Sequence, residues 1–165
     1  MSDRSSTSER HLVIGAGPVG LAMGAALKHR GIPFDIVDAG SGVGGNWLHG
    51  VYRSAHIVSS KKATEYADYP MPEEFPDFPS ADQMLSYLNA FARDRGLLPQ
   101  CEFNKSVASV VPEDASRWTV TFADGETRTY KGVVVCNGHH WDKRYPEFRG
   151  TFAGEILHSK DYRDV

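Results

Sequence analysis

Three glycines follow a short apolar segment near the start of the chain. Gly15, Gly17 and Gly20 come directly after the apolar run 11–14 and open a stretch rich in alanine and leucine. In a strand-turn-helix unit the first glycine permits a tight turn, the second permits backbone approach to a pyrophosphate, and the third permits helix–strand packing. A helix N-terminus also binds anions. The spacing therefore predicts a diphosphate site formed by Gly15, Ala16, Gly17, Pro18, Val19 and Gly20.

An acidic residue ends the next predicted strand. Residues 34–37 form a second apolar segment, and Asp38 follows it about 20 residues beyond the glycines. A carboxylate at this point accepts hydrogen bonds from an adenosine ribose and disfavours a 2′-phosphate. A lone GxGxxG pattern is weak evidence, because glycine turns also occur as simple connections. The strand, helix and acid around these glycines are the context that favours a dinucleotide site.

Composition narrows the class of protein. The 165 residues have a net charge of −3 and contain no basic block interleaved with aromatic residues, which argues against nucleic acid or an anionic membrane as a partner. No apolar run approaches the roughly 20 residues that span a bilayer. Residues 1–10 are polar and lack the apolar segment of a secretory signal. We expect a cytoplasmic protein with a disordered tail at 1–10 and one domain at 11–165.

The two cysteines do not form a recognisable redox or metal motif. Cys101 and Cys136 are too far apart in sequence for a CxxC pair or a zinc knuckle. We therefore predict free, buried thiols and no metal site.

The remaining residues predict a helix and several strands after a loop. The proline- and aromatic-rich region that includes DYPMP at 68–72 predicts an extended loop packed on the core. Ser80 and Gln83 have the spacing of a capping box at a helix start. Short strands are predicted at 101–104, 107–111, 118–122, 127–130 and, as a buried parallel strand, 132–136. The order predicts an α/β, Rossmann-like parallel sheet with an inserted antiparallel β-meander.

Several motifs together resemble the flavin-containing monooxygenases and their Baeyer–Villiger relatives. The glycine motif 15–20 is similar to the first glycine motif of that family, and Asp38 followed by GGNW at 44–47 is similar to its acid plus GGxW. The DYPMP run and the segment FAGEILHSKDY at 152–162, which fits FxGxxxHxxx followed by an aromatic residue, also match. The resemblance covers nearly the whole chain from His11 onward.

This resemblance implies a class B flavoprotein monooxygenase that uses FAD and NADPH. The glycine motif would hold the pyrophosphate of FAD and Asp38 its adenosine ribose. Gly45, Asn46 and Trp47 would lie on the ribityl and flavin side, and the backbone of Val107 would approach the adenine. In the family, NADPH reduces FAD, and a C4a-hydroperoxyflavin then oxygenates a small-molecule substrate. The FAD-binding domain would be incomplete relative to the family, because the separate NADPH module has its own GxGxxG, which these residues lack.

The resemblance leaves the catalytic residue unknown. Many members have an asparagine three residues before a lysine that aligns with Lys61, and Val58 occupies that position here. Ser59, Ser60 and His56 lie nearby in sequence, and no choice among them follows. His158 matches the signature histidine, but a structural histidine fits that position equally well.

Two other functions fit parts of the pattern. A non-catalytic nucleotide-binding module would keep the fold without the reductive half. An NAD(P)-dependent dehydrogenase would explain the first glycines and Asp38, but not the GGNW block. We expect these 165 residues alone to bind FAD weakly and not to oxidise NADPH. The substrate and the oligomeric state stay open.

Overall fold

The secondary structure alternates strands and helices and then adds a run of strands. The computed structural model describes residues 7–113, 116–139 and 141–164. In chain order the elements are β1 (His11–Ile14), α1 (Pro18–His29), β2 (Phe34–Val37), α2 (Asn46–His49), α3 (Lys61–Thr64), α4 (Ala81–Asp94), a short 3-10 turn (Leu98–Gln100), β3 (Cys101–Glu102), β4 (Val107–Pro112), β5 (Trp118–Phe122), β6 (Thr127–Tyr130) and β7 (Gly132–Val135). None of the helices in the described ranges is long and apolar enough to cross a membrane.

The strands form two sheets that share a core. The parallel sheet has the order β3-β2-β1-β7, and the antiparallel meander has the order β4-β5-β6. Because side chains alternate along a strand, β1 and β2 bury both of their faces. Val13 and Ile36 pack with the helices, whereas Leu12 and Val37 pack with the meander. The α/β, Rossmann-like class with an inserted meander is therefore confirmed.

Two predicted strands differ in detail from the structure. The strand predicted at 101–104 ends at Glu102, because the chain turns through Asn104, which has a φ of +55°. The strand predicted at 132–136 ends at Val135; it pairs in parallel with β1, as predicted, but it is half-buried and not buried. It lies at the edge of the described parallel sheet, where Val135 is 65% exposed.

Residues 7–10, which belong to the tail predicted to be disordered, make ordered contacts with the sheets. Residues 1–6 lie outside the described residues. Thr7 is buried, and its hydroxyl donates to the carbonyl of Thr129 at 2.7 Å. Arg10 forms an ion pair with Asp35 on β2, with 2.8 Å between Nη2 and Oδ1. The ordered chain therefore includes the residues that immediately precede β1.

Helix α4 begins at the predicted capping box. The Ser80 hydroxyl accepts the Gln83 N–H at 3.3 Å, and the Gln83 side chain accepts the Ser80 N–H at 2.9 Å. Two orphan donors at the helix start are thereby satisfied. The apolar face of α4, which includes Met84, Leu88 and Phe91, packs in the same cluster as Val13 and Ile36.

A cluster of charged side chains attaches the meander to β3. It consists of Glu102, Lys105, Asp124, Glu126 and Arg128, and is called the charge cluster below. The Lys105 ammonium donates to Asp124 and Glu126, and the Arg128 guanidinium binds Glu102 and Glu126. Hydrogen bonds from Arg128 and then from Lys105 lower the pKa of Glu126 from its ordinary 4.5 to about 2.

The lowered pKa of Glu126 predicts a loss of stability in acid. Its ionised form stabilises the fold fully above pH 4.5, and this contribution is lost as the pH falls toward 2. We expect Glu126→Gln to be less stable than the wild type at neutral pH. Between about pH 5 and about pH 2.5, its free energy of unfolding should fall less steeply than that of the wild type. Urea unfolding followed by circular dichroism checks this, with the exposed Glu74→Gln as control. Parallel pH profiles for the wild type and Glu126→Gln would contradict it.

Candidate functional site

The first and third glycines of the turn between β1 and α1 are required by backbone packing. Gly15 has a φ of +111°, and a Cβ atom there would collide with the carbonyl oxygen of Cys136 at the end of β7. A Cβ on Gly20 would overlap the carbonyl oxygen of Gly15. These two glycines therefore set the path of the turn, as the sequence predicts, and bring α1 against the sheet.

The second glycine meets the GGNW segment through backbone alone. A Cβ on Gly17 would lie 3.6 Å from the Cα of Gly45, with otherwise only the Gly45 nitrogen within 4 Å. Gly45 has a φ of +56°, and a Cβ there would lie 3.0 Å from the Cα of Gly17. The Gly44 N–H also donates to the Ala16 carbonyl at 3.1 Å. The two glycine segments thus form one continuous backbone surface with open space in front of Gly17.

The N-terminus of α1 opens onto this surface. Gly17 is the N-cap and has no side chain to cap the helix, and Pro18 is the first helical residue. The N–H groups of Val19 and Gly20 have no partner within the helix, because the first turn lacks preceding carbonyls. Val19 is 65% exposed. Partial positive charge and free donors therefore face the space in front of Gly17, an arrangement that binds anions.

Asp38 joins the end of β2 to the glycine turn. Its carboxylate accepts the Ala16 N–H at 2.6 Å and the Gly40 N–H at 2.7 Å. A carboxylate has about four lone-pair sites, so Asp38 keeps capacity for a ligand hydroxyl. Ala16 is fully buried, its N–H donates to Asp38, and its carbonyl accepts the Gly44 N–H. Ala16 thus shapes the turn and has no backbone N–H left to offer a ligand.

The other predicted contacts lie on two further segments. Asn46 and Trp47 begin the single-turn helix α2, directly after Gly45, and Trp47 packs against the core. Val107 is the first residue of β4 and pairs with Phe122 on β5. Two residues before Val107, the N–H of Lys105 donates to the Asp38 carbonyl at 2.8 Å. Strand β4 therefore begins close to Asp38.

The signature segment near residue 160 packs on the far end of α2. The Arg163 guanidinium donates to the carbonyls of His49 at 2.9 Å and Val51 at 3.2 Å. The rings of Tyr162 and Tyr52 meet edge to face at 5.5 Å. The Nδ1 atom of His158 accepts the N–H of Lys160, which is the local structural contact that the sequence left as one alternative. This segment therefore caps the helix that presents Asn46 and Trp47.

One tyrosine just before the DYPMP run, Tyr66, reaches the glycine turn, which the sequence did not predict. The Tyr66 hydroxyl donates to the Pro18 carbonyl at 2.7 Å, and burial raises the pKa of Tyr66 well above its usual range. The Tyr87 hydroxyl on α4 accepts the Tyr66 N–H and donates to the Tyr69 carbonyl. The proline-aromatic loop therefore packs on the core, as predicted, and also braces the first turn of α1.

The described residues near Val58 make local contacts. Val58 is 92% exposed, and Ser59 bonds Thr64 at 2.7 Å. The Nδ1 atom of His56 contacts the carbonyl of the next residue. The Lys61 ammonium donates to the backbone carbonyls of Glu73 and Phe75, at 2.9 Å and 2.5 Å, and thereby holds the proline-aromatic loop.

Both cysteines are free, as predicted, but only half-buried. Burial, with a smaller contribution from the Asp38 charge, raises the pKa of the Cys101 thiol to about 11. Burial also raises the pKa of the Cys136 thiol. Because the thiolate is the reactive form, both side chains are poor nucleophiles at neutral pH.

The geometry defines an α/β dinucleotide-binding protein with a second glycine segment beside the first. Residues 9–165 match the family model described as flavin-binding monooxygenase-like. The chain therefore belongs to the flavin-binding monooxygenase-like family.

Individual relatives agree with this family. The chain is 32% identical over 155 residues to indole-3-pyruvate monooxygenase YUCCA1 of Oryza sativa subsp. japonica, covering 92% of this chain and 38% of that protein. Among solved structures, a double-mutant flavin monooxygenase from Stenotrophomonas maltophilia is 29% identical with a TM-score of 0.85, covering 96% of this chain and 47% of that one. OTEMO in complex with FAD and NADP is 25% identical with a TM-score of 0.75, covering 88% of this chain and 28% of that one. The chain thus spans less than half the length of each.

The glycines of the turn predict two distinct outcomes for alanine substitution. Gly20→Ala places a methyl group on the Gly15 carbonyl oxygen and should destabilise the fold by about 3 kcal/mol. Gly17→Ala meets only ordinary contacts and should cost less than about 1 kcal/mol. Urea unfolding of the two variants checks this difference. Equal destabilisation by both substitutions would show that the second glycine is also required for packing.

Proposed function

We propose that this chain is the FAD-binding N-terminal portion of an NADPH- and O₂-dependent flavin monooxygenase that oxygenates a small organic molecule. The observation that supports it most is the backbone contact between Gly17 and Gly45. This contact sets the GGNW segment beside the N-terminus of α1, and Asp38 is hydrogen-bonded to the same turn. A ligand that lies across the turn therefore meets an anion site, a carboxylate acceptor and a second backbone surface.

Different residues of the site bind different parts of the proposed cofactor. Gly17 and the N–H groups of Val19 and Gly20 hold the pyrophosphate, because the positive end of α1 offsets its charge. The free lone pairs of Asp38 accept the adenosine ribose hydroxyls, and the backbone of Val107 adjoins the adenine. Gly45, Asn46 and Trp47 lie toward the ribityl chain and the flavin. FAD, when bound, supplies the redox and oxygen-activating chemistry, while these residues bind and orient it.

The proposal assigns this site to FAD rather than to NADPH. The carboxylate of Asp38 repels a 2′-phosphate, which NADPH has and FAD lacks. We therefore expect NADPH to bind at a different site of the whole enzyme. Support comes from the solved OTEMO complex, which contains both FAD and NADP. Relatives named for indole-3-pyruvate or for steroids indicate small organic substrates.

Ligand titration of the purified chain tests the assignment. We expect FAD to bind, seen as quenching of its fluorescence, and NADPH to compete poorly with it. Gly17→Ala should weaken FAD binding about tenfold or more, since the methyl group occupies the space that the pyrophosphate approaches.

A matched substitution provides the control. Gly42→Ala adds the same methyl group near the second glycine segment, where it meets only a Leu48 side-chain atom at 3.4 Å. It should leave the FAD affinity unchanged. A chain that binds NAD and rejects FAD would instead favour a dehydrogenase. Equal FAD affinity of the wild type and Gly17→Ala would show that the glycine turn is not part of the FAD site.

A further inference from the structure

We propose that Lys105 and Arg128 are positioning residues for the adenosine half of the cofactor, acting through Asp38. Neither residue belongs to a motif that predicts the cofactor site. The inference rests on the proposed function, because it concerns how the same site is held. It assigns a role in ligand recognition to the charge cluster, in addition to its role of attaching the meander to β3.

Backbone hydrogen bonds from one short segment hold Asp38 on both sides. The Asp38 N–H donates to the Glu102 carbonyl at 3.0 Å, and the Lys105 N–H donates to the Asp38 carbonyl at 2.8 Å. The Asn104 N–H donates to the Gly40 carbonyl at 2.8 Å. Segment 102–105 thereby determines where the peptide units around Asp38 lie. The N–H groups of Ala16 and Gly40 bind the Asp38 carboxylate directly, and segment 102–105 holds the backbone of Asp38 and of Gly40 that sets its direction.

The side chains of the same segment are held by the meander. Glu102 and Lys105, whose backbone groups bond Asp38, are also the residues whose side chains enter the charge cluster. The Arg128 guanidinium donates to both carboxylate oxygens of Glu102, at 2.7 Å and 3.1 Å. The Lys105 ammonium, with its side chain 8% exposed, donates to Asp124 and, at 2.5 Å, to Glu126. Each backbone contact of Asp38 is thus matched by a side-chain contact with β6 or the hairpin before it.

One aromatic ring joins the two cations. The Lys105 Nζ lies 4.6 Å from the centre of the Phe122 ring, and the Arg128 guanidinium lies 4.8 Å from it. Phe122 is almost fully buried and pairs with Val107 across the meander. The Ala123 N–H also donates to the Ser106 carbonyl at 2.8 Å. The charge cluster therefore fixes Val107, the proposed adenine neighbour, as well as Asp38.

A role in positioning can be separated from a role in stability. Removing one partner of a buried ion pair is costly because the other charge is left uncompensated, but Asp124 and Glu126 are 56% and 44% exposed to water, and Glu126 also binds Arg128. An apolar residue at Lys105 could thus leave the fold intact while removing the constraint on segment 102–105. The preference of the site for a ribose over a 2′-deoxyribose then reports the direction of the Asp38 carboxylate. Global stability alone does not change this preference.

The test compares ADP with 2′-deoxy-ADP by isothermal titration calorimetry. Because a charge-assisted hydrogen bond to the ribose hydroxyl is lost with the deoxy ligand, the wild type should prefer ADP about tenfold. In Lys105→Met this ratio should fall to about twofold or less, and Lys105→Arg should restore most of it. Lys131→Met is the matched control, since Lys131 is an exposed lysine just after β6 and lies outside the charge cluster. It should keep the wild-type ratio.

The outcomes separate this inference from the proposed function. A wild type that binds neither FAD nor ADP overturns the proposed function and the inference together. A wild type with the tenfold ratio and a folded Lys105→Met with the same ratio overturn the inference alone. If circular dichroism shows that Lys105→Met is unfolded, Arg128→Lys decides. It keeps the charge but loses the paired bonds to Glu102, so an unchanged ratio contradicts the inference and a lowered ratio supports it.

Discussion

The carboxylate of Asp38 accepts the N–H groups of Ala16 and Gly40 and thereby ties the end of β2 to the turn that follows β1. Charged acceptors form stronger hydrogen bonds than neutral ones, so this link is well suited to a turn built largely from glycine. This turn then determines where α1 begins and where Gly17 meets Gly45. A misdirected carboxylate would therefore disturb the proposed anion site, the proposed ribose acceptor and the second glycine segment together.

The parts of the site that depend on local backbone geometry could be predicted from sequence. Gly15 and Gly20 have no alternative residue type, because a Cβ at either position meets a backbone carbonyl. Ser80 and Gln83 form a capping box across one helical turn, so their spacing alone identifies it. Polar and apolar residues alternate in the two strands beside the Asp124-Gly125 turn, so the sequence also predicts their antiparallel pairing.

The parts that depend on distant segments could not be predicted in the same way. Nothing in the local sequence marks Lys105 as an ion-pair partner, and only the pairing of β4 with β5 brings Asp124 and Glu126 to it. The contact of Tyr66 with the Pro18 carbonyl requires the whole proline-aromatic loop to fold back over α1. The edge position of β7 depends on which strands the sheet contains, and a run of valines does not reveal it. The one sequence signal for the charge cluster was the spacing of Glu126 and Arg128, because residues two apart in an extended segment lie on the same face of it.

The cap that Arg163 places on α2 has a consequence for the order in which the chain folds. Its guanidinium binds the carbonyls of His49 and Val51, which are 114 and 112 residues earlier in the sequence. Closing so long a loop is entropically expensive, and chains are synthesised from the N-terminus. The helix of Asn46 and Trp47 is therefore completed late, after the sheet and the glycine turn are in place. During translation, β7 and Cys136, which lie against β1 and Gly15, are made before Arg163, so α2 gains this contact only after the glycine turn has its neighbours.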